Sequence, residues 1–214
     1  MTNPDATHNA ITAKPKESDK RTRILEAARS ILSAKRYDDV PVSEIVELAG
    51  IAKGTFYLYF PSKADLIAAV AEGLQLEIRR AIFSVMDDDQ PILEMIQAII
   101  WAVYKVSQQH RDLMHVIEMD VLLGGTKRLQ LEQDQQVQQM KLMLGAARQR
   151  QEIDGSLDLQ ITAELVSGVM MPLSRAIIFG QSDIAPERYI NETVSFLRRA
   201  LGVQDKPLPF EQRT

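Results

Sequence analysis

Cysteine is absent from the chain, which excludes a disulfide framework and a thiolate metal site and removes any sign of an oxidising compartment. Also missing is a run of about 18 uncharged apolar residues, so no membrane-spanning helix is expected. The first residues hold no apolar stretch of the kind a secretion signal uses. A cytoplasmic protein with no membrane partner is the expectation. The glycine-rich phosphate loops of nucleotide and dinucleotide sites do not occur, nor does a serine-nucleophile motif. Repeats, alternating strand patterns and hairpin signals are missing too, so the expected fold is all-α. What remains is ordinary globular material, 214 residues at 45% hydrophobic and 25% charged, enough chain to bury a substantial core.

A net charge of −4 argues weakly against a nucleic-acid partner. Its distribution argues the other way. Residues 14–63 hold 10 Lys and Arg against 7 Asp and Glu, whereas the chain after Lys63 holds 15 against 21. A basic head on an acidic body suits a protein that presents one end to DNA.

The most informative stretch lies in that head, at residues 49–66, supported by the segment just before it. Ile45, Leu48 and Ala49 share one face of a short helix, and Gly50 supplies the positive backbone angle that ends it. Ile51 is placed to plug the angle between this helix and the next. In the second helix Phe56 and Phe60, four apart, point to the core. Lys53, Thr55, Tyr57 and Tyr59 offer donors to phosphates and base edges. At its start, exposed backbone N–H groups and the helix dipole favour an anion, and Gly54 lets backbone approach DNA without a side chain in the way. Lys63 is placed to reach a flanking phosphate. The alternative is that the tyrosines only pack the small domain, a role Phe56 and Phe60 already fill.

Ala49-Gly50-Ile51-Ala52-Lys53-Gly54-Thr55-Phe56-Tyr57-Leu58-Tyr59-Phe60-Pro61-Ser62-Lys63-Ala64-Asp65-Leu66 resembles the signature of the TetR family of bacterial transcriptional regulators, Ala-Gly-Val-Ser-Lys-Gly-Thr-Leu-Tyr-x-Tyr-Phe-x-Ser-Lys-x-x-Leu. The resemblance extends upstream through Arg23-Ile24-Leu25-Glu26-Ala27-Ala28 and covers about residues 20–70; beyond that, only length and helical content agree. Ala52 stands where the family commonly has Ser, and Pro41-Val42 where it often has a phosphate-touching Thr, for which Ser43 is the nearest substitute. The resemblance implies DNA contacts at Ser43, Lys53, Gly54, Thr55, Tyr57, Leu58, Tyr59 and Lys63. It also implies an N-terminal three-helix helix-turn-helix domain and a C-terminal helical domain for ligand binding and dimerisation, the last two helices forming a four-helix bundle across the dimer.

Expected boundaries are a polar arm with a basic end over residues 1–18, the DNA-binding domain over 19–65, the effector and dimerisation domain over 66–203 and an irregular tail over 204–214. The arm is either a solvated tail or a phosphate-tracking segment. Asp19 is placed to cap the first helix and Ser62, with Asp65, the fourth. Helices are expected over about 63–83, 91–109, 111–123, 126–151, 158–180 and 186–201, with breaks at Gly124-Gly125 and Asp154-Gly155 among others.

The body holds 8 of the 9 methionines. Flexible thioethers suit a pocket that adapts to an apolar ligand, although each also suits plain core packing. Phe83, Trp101, Tyr104, Met114, Ile117 and Met170 are the candidate pocket wall, with His115 and Glu118 as polar contacts. Pro172 inside a helix is expected to kink it and make room. Asp112, His115 and Glu118 are three apart, but each step of three drifts about 60° around a helix, so a metal site is not expected. Ile161, Leu165, Val169, Leu173 and Ile177 form one stripe, and Tyr189, Val194, Leu197 and Leu201 another; either they pack on the chain's own core or they make a dimer interface, which a reader of paired half-sites requires.

The reading is a homodimeric DNA-binding regulator without catalytic residues, cofactor or metal. It would recognise a palindromic duplex operator and act as a repressor released by a small apolar or amphipathic effector. The alternatives are a DNA-binding or architectural protein with no effector, and a metal-dependent helical enzyme built on Asp112, His115 and Glu118.

Overall fold

A computed structural model describes residues 17–87, 89–180 and 182–203. The expected tail and nearly all of the expected arm lie outside them. The described residues form eight α-helices and two short 3-10 turns, with no strand among them. The chain divides into two compact units, the first ending at Leu66 and the second beginning at Ile67.

The first unit contains α1 (Glu17–Leu32), a 3-10 turn (Tyr37–Asp39), α2 (Val42–Leu48), α3 (Lys53–Tyr59) and the start of α4 (Lys63–Val85). Ile24, Ala27, Ala28, Ile31 and Leu32 give α1 one buried face, met by Val40, Ile45, Val46, Ala49, Phe56 and Phe60. Two details differ from expectation. Leu48 is 57% exposed, and Val46 fills the core in its place. Asp19 lies inside α1, which begins at Glu17, so it does not cap that helix. The start of α4 is built as its sequence implies: the Asp65 amide donates to Ser62 Oγ at 3.2 Å and the Ser62 hydroxyl donates to Asp65 Oδ2 at 2.6 Å.

The second unit holds the remainder of α4, α5 (Ile92–Gln109), a 3-10 turn (Arg111–Leu113), α6 (Met114–Gln149), α7 (Leu159–Ile177) and α8 (Pro186–Ala200). Its core joins Ile92, Ile96 and Ile100 of α5 to Leu144 and Ala147 of α6, Val166 and Leu173 of α7, and Ile190, Leu197 and the following Leu201 of α8. The expected break at Gly124-Gly125 is absent: α6 runs unbroken for 36 residues. Two glycines cost a helix about 2 kcal/mol relative to alanine. Buried anchors at both ends, Met114 and Val116 on one side and Leu144 and Ala147 on the other, offset that penalty. In α7, the Asp158 carboxylate accepts from the amides of Gln160 at 2.9 Å and Ile161 at 3.0 Å, and the helix continues past Pro172 to Ile177. The N-terminus of α5 has no local side-chain cap. Instead Glu152, held by Arg150 at 2.6 Å, accepts from the Ile92 amide at 2.8 Å across 60 residues of sequence.

Candidate nucleic-acid interface and effector groove

The turn between α2 and α3 is closed by backbone and by one arginine. Gly50 sits at φ +63°, its amide donates to Glu47 O at 3.0 Å, and the Ile51 amide reaches Val46 O at 3.0 Å. This left-handed ending leaves carbonyls at the α2 terminus pointing outward. Arg23 of α1 fills that gap: one guanidinium nitrogen donates to Ala49 O and, at 2.9 Å, to Gly50 O. A Cβ at Gly50 would stand 2.8 Å from the same nitrogen, so the glycine serves both the angle and the close approach. The sequence signals the glycine but not the arginine, because nothing local connects positions 26 residues apart.

α3 has a closed back and an open front. Phe56 is fully buried and Phe60 nearly so, with ring centroids 5.9 Å apart. The Tyr57 ring stands edge-on to Phe56 at 5.2 Å, which fixes it while leaving 47% of the residue exposed. Leu58 is 83% exposed, Lys53 and Gly54 are exposed, and space is open around Gly54. Thr55 and Tyr59 are half-buried, and Ser43 at the start of α2 is exposed. One face therefore offers an ammonium, a phenol, an apolar tip and bare backbone, the mixture that phosphates, base edges and thymine methyl groups require.

Lys63 departs from expectation. Its ammonium donates to Tyr37 O and lies 3.9 Å from the Tyr37 ring centroid. Burial pulls its pKa below the usual lysine value, while the charges of Asp38 and Asp39 oppose that shift. The side chain braces the 3-10 turn against α4 instead of standing free for a flanking phosphate.

The expected pocket residues do not converge on one cavity. Phe83 is 70% exposed on α4, which removes it from any enclosed wall, and Met114 is buried in the core. Ile117, Glu118 and Met170 are half-buried, Met170 packing against the core of the second unit. His115 is half-buried, and its Nε2 atom is buried with no hydrogen-bond partner among the described residues. Trp101 and Tyr104 do come together, their ring centroids 5.7 Å apart. With Lys105, Gln108 and Gln109 they line a groove of about 530 Å³. Asp112 falls in the 3-10 turn, off α6, and no three His, Cys, Asp or Glu among the described residues are grouped to hold a metal ion.

The expected dimer stripe is also corrected. Leu173, Ile177, Val194 and Leu197 are buried in the core of their own chain and cannot meet a partner, and Val169 is half-buried. Ile161 and Leu165, at 57% and 66% exposed, face outward as expected. From these two the open surface of α7 continues through Gly168 and Pro172 in place of Val169 and Leu173, and Phe196 is exposed on α8. The error is one of phase: an apolar helix with two usable faces does not reveal which one its own chain covers.

Two short helices joined through a left-handed glycine, the second with a buried aromatic back and a donor-rich front, define a helix-turn-helix DNA-binding protein. Comparison with known proteins narrows the class. The model of the tetR family of bacterial regulatory proteins matches residues 24–70. YvdT, an uncharacterized HTH-type transcriptional regulator of Bacillus subtilis, is 27% identical over 88% of this chain and 98% of its own length. The nucleoid occlusion factor SlmA of Shewanella pealeana is 20% identical over 89% of this chain and 98% of its own. Among solved structures, SmeT, the repressor of the Stenotrophomonas maltophilia multidrug efflux pump SmeDEF, superposes with a TM-score of 0.68 at 19% identity, covering 89% of this chain and all of its own. Residues 24–70 thus match the tetR family of bacterial regulatory proteins, and the fold as a whole is that of TetR-like regulators.

Proposed function

We propose that this regulator acts as a cytoplasmic homodimer that holds a palindromic operator with α3 of each copy and releases it when a small apolar or amphipathic molecule occupies the second unit. The observation that carries the DNA half is the two-sided construction of α3, with Phe56 and Phe60 closing its back and Lys53, Gly54, Tyr57 and Leu58 left outside. The effector half draws support from neighbours in fold: a γ-butyrolactone receptor at a TM-score of 0.60 and a Bacillus subtilis FadR in complex with stearoyl-CoA at 0.64. The interface is the outward stripe of Ile161, Leu165, Gly168 and Pro172 with Phe196, apolar surface a single chain leaves uncovered. Effector binding shifts the operator-competent population through α4, the helix that begins in the first unit and ends in the second. The effector must favour the incompetent state to do so.

The test starts with selection of binding sites from a random duplex pool. A symmetric site with two half-sites supports the reading, and the absence of any enriched sequence contradicts it. A second reading is a DNA-binding or architectural protein with no effector, a role in keeping with a relative along almost the whole chain that is named for nucleoid occlusion. Fluorescence anisotropy on the selected duplex, titrated with an acyl-CoA, an acyl lactone and an aromatic acid, separates the two. Release by one of these supports the regulator with an effector. Unchanged affinity throughout supports the second reading.

A further inference from the structure

The five side chains of the groove follow one another on α5 at positions i, i+3, i+4, i+7 and i+8, so they cover a single helix face. Trp101 and Tyr104 are half-buried against the core and meet at 73°, and packing therefore sets their ring orientations in advance of any ligand. Lys105, Gln108 and Gln109 are exposed around them. The groove, about 530 Å³, is shallow and open to solvent, so a molecule seated there keeps part of its surface in water.

Two aromatic faces alone would also attract a cation. The charge of the lining decides against that. Its single ionic group is the Lys105 ammonium, which forms no ion pair among the described residues. Glu77 of α4 stands near the end of α5, but its carboxylate holds the imidazole of His110 at 2.6 Å. The amides of Gln108 and Gln109 supply further N–H donors beside the ammonium. Resting on the reading of the second unit as the effector-binding part, we propose that this groove takes a small, flat, apolar molecule bearing one negative charge, its ring seated on Trp101 and Tyr104 and its anionic group at Lys105.

Calorimetric titration of the full chain with 2-naphthoate, 2-naphthalenemethanol and 2-naphthylmethylammonium tests this with one ring and three charges. The naphthoate should bind about fivefold more tightly than the alcohol, the scale of one exposed ion pair, and the ammonium should bind most weakly. Lys105→Glu should invert the order of the two charged probes and Lys105→Arg should keep it. Position 105 is exposed, and circular dichroism of both variants checks that they are folded. Equal binding of the three probes, an order unmoved by Lys105→Glu, or no saturable naphthoate binding at millimolar concentration overturns the proposal. The effector reading is judged separately by anisotropy on the selected duplex. Charge-selective naphthoate binding that leaves DNA affinity unchanged upholds the groove and removes its effector role. Release by other molecules, independent of position 105, upholds the effector role and overturns the groove as its site.

Discussion

Gly50 and Arg23 show how much of the DNA-reading geometry rests on single residues. At φ +63°, with an arginine nitrogen 2.8 Å from the place a Cβ would take, Gly50→Ala meets both backbone strain and a steric demand. It should cost about 1–2 kcal/mol, read as an earlier urea transition of the first unit. Arg23→Ala keeps the glycine but strips two carbonyls of their charged donor. A loss of about 1–2 kcal/mol is expected, with weaker operator binding as the turn loosens; unchanged stability would mean that water replaces the guanidinium without penalty. The glycine was readable from the sequence because a helix that ends before Ile51 and restarts at Lys53 needs that angle. The arginine was not, and neither was the bond from Lys63 to Tyr37 O, since both join positions whose nearness exists only after folding.

The start of α4 was legible from Ser62 with Asp65, and α7 and α8 begin within a residue of the expected 158 and 186, where the structure shows an Asp158 cap and Pro186 in the first turn. Reading failed where tertiary contacts outweighed propensity, as at Gly124-Gly125 inside α6, and where an apolar helix had two candidate faces, as in α7. The end of α6 is another nonlocal decision. Gln151 adopts φ +58°, its amide donates to Arg148 O at 3.0 Å and the next amide to Ala147 O at 2.9 Å, a glycine's place held by glutamine. Gln151→Gly should therefore stabilise the second unit by about 0.5–1 kcal/mol, measured as a raised midpoint in thermal unfolding; a lowered midpoint would show that the glutamine side chain contributes more than its backbone strain costs. In the following loop, the Ser156 amide and hydroxyl both donate to Asp154 Oδ1, holding that carboxyl below its ordinary pKa of 3.8. The stabilising contribution of this pair is present above the ordinary value and is lost as pH falls through the lowered one. Ser156→Ala leaves the backbone donor in place, so the Asp154 carboxyl, followed by NMR, should titrate at higher pH than in the wild type.

For the whole molecule, the proposed palindromic operator ties assembly to DNA recognition, because a palindrome is read by two copies. Leu165→Asp places a charge on the exposed stripe of α7 without entering the core. It should yield monomers in sedimentation and a large loss of operator affinity with little change in the unfolding of either unit. Leu173→Asp, buried in the core at 2% exposure, should instead unfold the second unit, so the pair separates an interface from a core. The measurement that bears most directly on the central claim is the salt dependence of binding to the selected duplex for the wild type and Lys53→Ala. Lys53 is exposed at the start of α3, so if α3 is the DNA-reading helix its loss removes about one phosphate contact per chain. The slope of log affinity against log salt should fall by roughly one unit per chain, with affinity reduced on every sequence alike. An unchanged slope and unchanged affinity would show that DNA meets a different face of the protein.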